Sequence, residues 1–337
     1  MTARIIVVND IHLTDRPPSS VHEGYVEELF EMLAYVAKLE KDLSADAVVW
    51  AGDVFHHKQP LRSSHKLVLR TIEVAKLYKN LLVIAGNHDL TQDRMDTLFD
   101  QQPLGVLLAS GAATFLDGWH ETLPIFGVSW QQRWHHPDVR MDAFKGWREG
   151  GTTLGNPTIG EEDWVDAERN LTDSLAITHA PLYPPGQENE FDHIPTKGED
   201  GISAAMGNTG SLAYGHIHED HGFFFSDGVQ YANVGALSRG SAHEYNFERK
   251  IQVTLWTEGK GFKSLPVPHR PGSEVFKKTE IAEAKHEKLS LDQFLSEVGS
   301  TTLAISSTES VVNHIKKLEH VDKPVRERAI EVLEDVS

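Results

Sequence analysis

The chain has no cysteine, which excludes disulfides, thiolate metal sites and a cysteine nucleophile. It also lacks any apolar run approaching the length of a bilayer span, so no membrane association is expected. Residues Met1-Thr2-Ala3-Arg4 lead straight into a strand-like segment without a signal-peptide pattern, and a cytoplasmic location is expected. Positive charge is scarce: 32 Lys and Arg stand against 50 Asp and Glu, a net charge of -18. Affinity for nucleic acid comes largely from neutralising phosphates, so taken alone this balance argues against such a partner. Acidity gathered around bound cations would reverse the field that a phosphate meets locally, and a basic partner could offset the rest.

With 337 residues and an ordinary apolar content of 39%, the chain can bury one large core and carry a short appended module. Strand-like runs at Arg4 to Val8, Ala47 to Ala51 and Leu81 to Ala85 alternate with helical spacing over residues 24 to 43 and 63 to 77. That alternation predicts a mainly parallel sheet with covered faces. Residues 95 to 110 read as helix interrupted at Gln101-Gln102-Pro103, strands follow near 113 to 115 and 123 to 128, and 129 to 156 carries no regular pattern. A helix is expected over 161 to 171 and strands over 174 to 178 and 212 to 214. Between the last two, residues 183 to 201 form a long Pro/Gly-rich loop. Asp227-Gly228 between two strand-like runs marks a hairpin, and Ile251 to Trp256 is one more strand. The main domain is expected to span 1–270. Beyond it, 271–337 is a small helical module, with helices at 310 to 319 and 325 to 336 too short to stand alone.

Polar clusters close these strands in a repeated way. Asp10 and His12 follow the first, with period-2 spacing expected to put both on one side. Gly52-Asp53 closes the second, Gly86-Asn87-His88-Asp89 the third, His179 a later one, and Gly215-His216-Ile217-His218 the last. In open α/β sheets the carboxyl ends of strands are where sites are built. Singly, such residues are often turn formers or satisfied polar groups. Jointly, imidazole, carboxylate and carboxamide suit borderline divalent ions, and Asp53, with two acceptor oxygens, is the candidate to be shared between two of them. Arg16, Lys58, Arg62, Arg133 and Arg239 are read as solvated surface that could also contact phosphates.

The order Asp-x-His, Gly-Asp-x-x-His, Gly-Asn-His-Asp, lone His and Gly-His-x-His resembles the calcineurin-like metallophosphoesterase superfamily over residues 10 to 218. The resemblance implies an α/β (α+β) fold, a two-layered β-sandwich flanked by helices, with two divalent metals between strand ends. It puts Asp10, His12, Asp53 and His218 on one metal, and Asp53, Asn87, His179 and His216 on the other. Where protein phosphatases of the superfamily have Asp-Arg-Gly after Gly-Asp-x-x, this chain has His56-His57-Lys58. A histidine there is similar to the SbcD-type DNA double-strand-break repair nucleases and their bacteriophage recombination counterparts, the latter working in the host cytoplasm.

That likeness implies catalytic, non-ligand roles for His56 and His88, and imidazole with a pKa near 6.5 suits proton transfer near neutrality. It further implies manganese as the ion and DNA as the substrate, with exonuclease and single-strand endonuclease activity. An SbcC-type coiled-coil ATPase partner held through 271–337 and a homodimer formed near 63 to 77 and 95 to 110 are also implied. The first motif departs from the usual pattern in reading Asn-Asp-Ile-His-Leu-Thr, without the expected glycine. The alternatives are a small-molecule diesterase of the cyclic-nucleotide type, which an acidic surface suits, and a scaffold of this fold without catalysis.

Overall fold

The computed structural model describes residues 2–149, 170–187, 194–241 and 244–277. The expected helix over 161 to 171 lies outside these residues except at its end, as do the two helices expected near the C-terminus. Two six-stranded sheets face each other. The first is built from β1 (Arg4–Val8), β2 (Ala47–Ala51), β3 (Leu81–Ile84), β4 (Thr114–Phe115), β11 (Gln252–Thr257) and β12 (Gly261–Pro266), in the order β12-β11-β1-β2-β3-β4. The second contains β5 (Gly118–Trp119), β6 (Ile125–Val128), β7 (Leu175–His179), β8 (Ser211–Gly215), β9 (Asp220–Ser226) and β10 (Val229–Val234), in the order β5-β6-β7-β8-β10-β9. β1 to β4 run parallel, as do β6, β7, β8 and β10.

The unbroken apolar runs are explained by burial on both faces, since side chains alternate along a strand. Ile5, Val7, Val49, Ala51, Leu82 and Ile84 meet Leu175, Ile177 and Ala213 of the opposite sheet in a shared inner core. The alternate residues Ile6, Val8, Val48, Trp50 and Val83 point outward, beneath helices α1 (Tyr25–Asp42) and α2 (His65–Ala75). α1 supplies Leu29, Phe30, Leu33, Val36 and Ala37 at helical spacing, and Ser64 caps α2 by accepting from the Leu67 N–H. Two short helices, α3 (Leu98–Gln101) and α4 (Pro103–Ala109), replace the interrupted pattern over 95 to 110, the break falling at Gln102 before a proline.

The stretch without a regular sequence pattern is described up to residue 149. It forms α5 (Pro137–Ala143) and α6 (Lys145–Glu149), and its Trp134, Phe144 and Trp147 are buried against the outer face of the second sheet. α7 (Ile202–Ala205) completes that cover. The Asp227-Gly228 turn has positive φ at both residues, 42° and 82°, as the hairpin β9–β10 requires. α8 (Glu244–Glu248) and α9 (Gly272–Val275) follow the strands, and Val275 and Phe276 sit in the same outer core as α1. The core of the main domain therefore continues past residue 270 to Phe276. Arg239 is no surface cation: it is only 2% exposed, donates to Glu28, and reaches the Arg270 carbonyl at 2.7 Å.

Candidate metal centre

Parallel β1–β2–β3 and β6–β7–β8 place their carboxyl ends at one edge of the sandwich, and every residue of the constellation leaves from that edge. The two sheets are tied together there. His179 Nδ1 lies 2.9 Å from the Ala51 carbonyl, Asn9 donates to the Tyr214 carbonyl at 3.0 Å, and the His216 N–H donates to both Asp10 oxygens at 3.0 and 3.1 Å.

The mechanism of presentation is a set of left-handed turns. β1 ends at Val8, and Asp10 and His12 then adopt φ of 48° and 50°, so they share a side through turn geometry and not through strand alternation. Asp53 and His216 also have positive φ, 47° and 84°. Such conformations are uncommon for non-glycine residues, and surrounding contacts must hold them. Those contacts are visible: the His12 N–H donates to the Asp53 carbonyl at 2.9 Å, and Ser238 donates to the Asp10 carbonyl through Oγ at 3.0 Å. The glycines preceding Asp53 and Asn87 are required by close approach. A Cβ on Gly52 would come within 2.5 Å of His179 Nδ1, and one on Gly86 within 2.2 Å of Asp53 Oδ1.

The side chains converge as two groups sharing a carboxylate edge. Asp10, His12 and His218 form one, and Asp53, His179 and His216 the other, with ligand-capable atoms of each within 4.8 Å of one another. Asn87 Oδ1 joins the second group, 3.2 Å from His179 Nε2 and 3.1 Å from His216 Nδ1. Asp53 uses Oδ1 to accept the His88 N–H at 2.7 Å, which leaves Oδ2 between the groups, 3.6 Å from His12 Nε2 and 3.4 Å from His179 Nε2. His12 and His218 bring their Nε2 atoms to 3.0 Å, and Asp10 Oδ1 lies 3.8 Å from His218 and 3.9 Å from His179. All seven residues singled out as candidate ligands thus meet at one place.

The electrostatics fit cations. Burial pushes the Asp10 carboxyl up to about 7, helped by the Asp53 charge, against the pull of His179. Burial would also raise Asp53, but His179 and His12 hold it well below the usual range. Burial pushes His12 well down, His216 to about 3 and His218 to about 4, with neighbouring imidazoles adding to each. His179 is the exception: burial opposes its charge, yet Asp53 and Asp10 lift it to about 9. Neutral imidazoles and carboxylates are the forms that coordinate divalent ions, and without thiolates the set matches manganese, iron or zinc. Two divalent cations fit between these groups.

His56 and His88 stand beside this centre. His88 Nδ1 lies 2.5 Å from the His56 carbonyl, which fixes the ring, and the two rings stack at 5.9 Å. Both rings lie edge-on to His12, at 5.5 and 4.9 Å, and the donor atoms of the three come within 4.8 Å of one another. Burial and the neighbouring His57 and His88 push His56 down to about 4, so it is neutral near pH 7.

Four contributors have no role assigned from the sequence. Asp89 is buried and accepts from the N–H groups of Val54, Phe55 and Gly86 at 3.2, 3.1 and 3.0 Å, pinning the Asp53 turn to the Asn87 turn. Its position in Gly86-Asn87-His88-Asp89 carries the signal of a capping carboxylate. Trp130 stands 4.8 Å from the His216 ring, and Trp134 donates to the His179 carbonyl at 3.0 Å, so the irregular stretch walls one side of the centre. Arg249, buried, donates to the carbonyls of Ala236 and Ser238 and so holds the segment that supports Asp10.

Fold and site together define a dinuclear phosphoester-hydrolase type of centre. The chain matches the calcineurin-like phosphoesterase family over residues 3–220 and belongs to it. It is accordingly a metal-dependent phosphoester hydrolase. Among 77 matching chains of solved structures, one is the crystal structure of a dimetal phosphatase from Danio rerio. It is 11% identical, covers 80% of this chain and 99% of its own, and has a TM-score of 0.46. No curated protein matches the chain.

Proposed function

We propose that the protein is a phosphodiesterase acting on DNA: an exo- and endonuclease subunit of a double-strand-break repair or phage recombination system, loaded with manganese. The observation that carries this reading is His56. It occupies the place where protein phosphatases of the superfamily carry the aspartate of Asp-Arg-Gly, and it faces His88 and His12 across the mouth of the metal cluster. Two histidines beside the centre suit a diester, whose leaving alkoxide needs a proton.

In this reading Asp10, His12, Asp53 and His218 would hold one ion, and Asp53, Asn87, His179 and His216 would hold the other, with Asp53 shared. The bound ions would supply neutralisation of the charge that develops during in-line attack at phosphorus. The chain does the rest. Asp89 and the Gly52 and Gly86 turns fix the bridge. The His88 ring is oriented by the His56 carbonyl and delivers a proton to the leaving oxygen. His56, neutral near pH 7, contacts a phosphate oxygen.

The part of 271–337 beyond the main-domain core is proposed to cap the substrate and engage an SbcC-type coiled-coil ATPase in the cytoplasm. Dimerisation is proposed through the face where α2, α3 and α4 leave Leu69, Phe99 and Val106 exposed. A Phe99→Glu variant would then sediment as a monomer, and an unaltered sedimentation coefficient would discard that face. A labelled duplex and single strand, assayed in manganese beside bis(p-nitrophenyl) phosphate, test the substrate. Cleavage of DNA supports the nuclease. Hydrolysis of the small ester with no cleavage of any DNA would favour the small-molecule diesterase, which the charge of -18 suits.

A further inference from the structure

Beside the metal cluster an open cleft of about 560 Å³ begins at His57 and is lined by Asp15, Arg16, Leu61, Arg62 and Ser64. A line of rings leads from the metal centre to it: His12 to His56 at 5.5 Å, then His56 to His57 at 4.7 Å. Its two walls are the segment that follows His12 and the short turn Pro60–Arg62. They are fastened to each other by Asp15, whose carboxylate accepts from Ser64 N at 2.7 Å and from Ser64 Oγ, the same serine that caps α2. The cleft is therefore held by the turns that also carry the metal centre.

Most of the described arginines are already engaged by carboxylates or carbonyls. Arg70 and Arg94 are paired with Glu27 and Asp96, Arg239 and Arg270 share Glu28, and Arg140 and Arg249 donate to carbonyls. Arg16 and Arg62 line one cleft, and among the described residues neither has an ion pair or a side-chain hydrogen bond. The one carboxylate nearby, Asp15, has both oxygens engaged by Ser64. In a chain of net charge -18, a cleft lined by two guanidinium groups that have no ion pair among the described residues is a place where a polyanion meets less repulsion. Guanidinium groups match phosphate oxygens in a bidentate way, so a phosphate is the anion such a pair selects. Leu61, wholly exposed at 100%, lines the same cleft and offers an apolar face of the kind a nucleoside can cover.

We propose that this cleft is a substrate subsite for the phosphates flanking the scissile one, with Arg16 and Arg62 each taking a neighbouring phosphate of a single-stranded polynucleotide and Leu61 packing on the nucleoside between. The inference rests on the nucleic-acid reading above and deepens it. It also offers an acidic protein a way to hold a polyanion, through the metal centre and this adjoining cleft.

The test is an Arg16→Gln/Arg62→Gln variant, whose exposed side chains leave the core untouched. Binding of a fluorescein-labelled oligothymidylate is followed by anisotropy in calcium over a salt series, and hydrolysis of bis(p-nitrophenyl) phosphate is measured in manganese. The subsite predicts at least a tenfold weaker affinity at low salt. It also predicts a plot of log K against log salt shallower by about 1.4, the loss of two single-strand phosphate contacts. Turnover of the one-phosphate ester stays within twofold of wild type. An unchanged affinity and slope, an equal loss on the small ester, or no oligothymidylate binding by the wild type would overturn it. Binding that behaves as predicted without any cleavage of DNA keeps the subsite and discards the nuclease, whereas DNA cleavage with an unchanged salt slope does the reverse.

Discussion

At the scale of single residues, the centre depends on which oxygen of Asp53 is free. Oδ1 is engaged by the His88 N–H, and Oδ2 faces imidazoles of both groups, so one side chain is placed to serve both ions. Asp53→Ala is expected to lose both metals, which elemental analysis after gel filtration reads directly. His88→Ala and His56→Ala should retain two ions each while turnover of a diester falls by about 10² to 10⁴, the usual worth of a positioned acid or base. Metal loss in either variant would make that histidine a ligand. Protonation gives a second expectation. In the ion-free protein, burial keeps the Asp10 carboxyl protonated up to about 7, and the Asp53 and Asp10 charges outweigh burial to keep His179 protonated to about 9. Both protons must leave as cations enter, so affinity rises with pH, with two protons released below pH 7 and one between 7 and 9. Calorimetry of metal uptake in buffers of different ionisation enthalpy counts them, and pH-independent affinity would contradict the assignment.

At the scale of elements, strand ends deliver the chemistry and turns aim it. Asp89→Ala would leave the buried N–H groups of Val54, Phe55 and Gly86 without their acceptor, at about 1–3 kcal/mol for each group left unsatisfied. A fall in denaturation midpoint together with weaker metal binding is the expected result, and full metal affinity in a folded variant would show that the two turns hold themselves. The same elements show what a sequence can disclose. β1, β2, β3, β7 and β8 were legible as apolar runs because both faces are buried, and all seven candidate ligands were legible because each closes such a run. The left-handed backbone at Asp10, His12, Asp53 and His216 was not, since tertiary hydrogen bonds impose it on residues that do not prefer it. β12 escaped because an edge strand with half-exposed side chains has no apolar run to betray it. α5 and α6 escaped because each spans only about two turns or less, and Ala143 and Trp147 pack on a sheet distant in sequence. Arg239 was misread as surface because nothing local to it announces the Glu28 side chain across the chain.

At the scale of the molecule, two sheets sharing a core bring ligands from residue 10 and residue 218 to one edge, and the metal centre exists only while that sandwich is closed. Cations bound there stabilise the folded chain by mass action, so chelation is expected to lower its melting temperature and manganese to raise it. The most direct measurement of the central claim is a crystal structure of the manganese-loaded protein with anomalous differences recorded at the metal edge. Two peaks about 3.5 to 4 Å apart, one on each side of Asp53 Oδ2, are predicted, with Asp10, His12 and His218 around the first and Asn87, His179 and His216 around the second. A single peak that does not involve Asp53, or no peak at this edge with manganese in excess, would contradict the account.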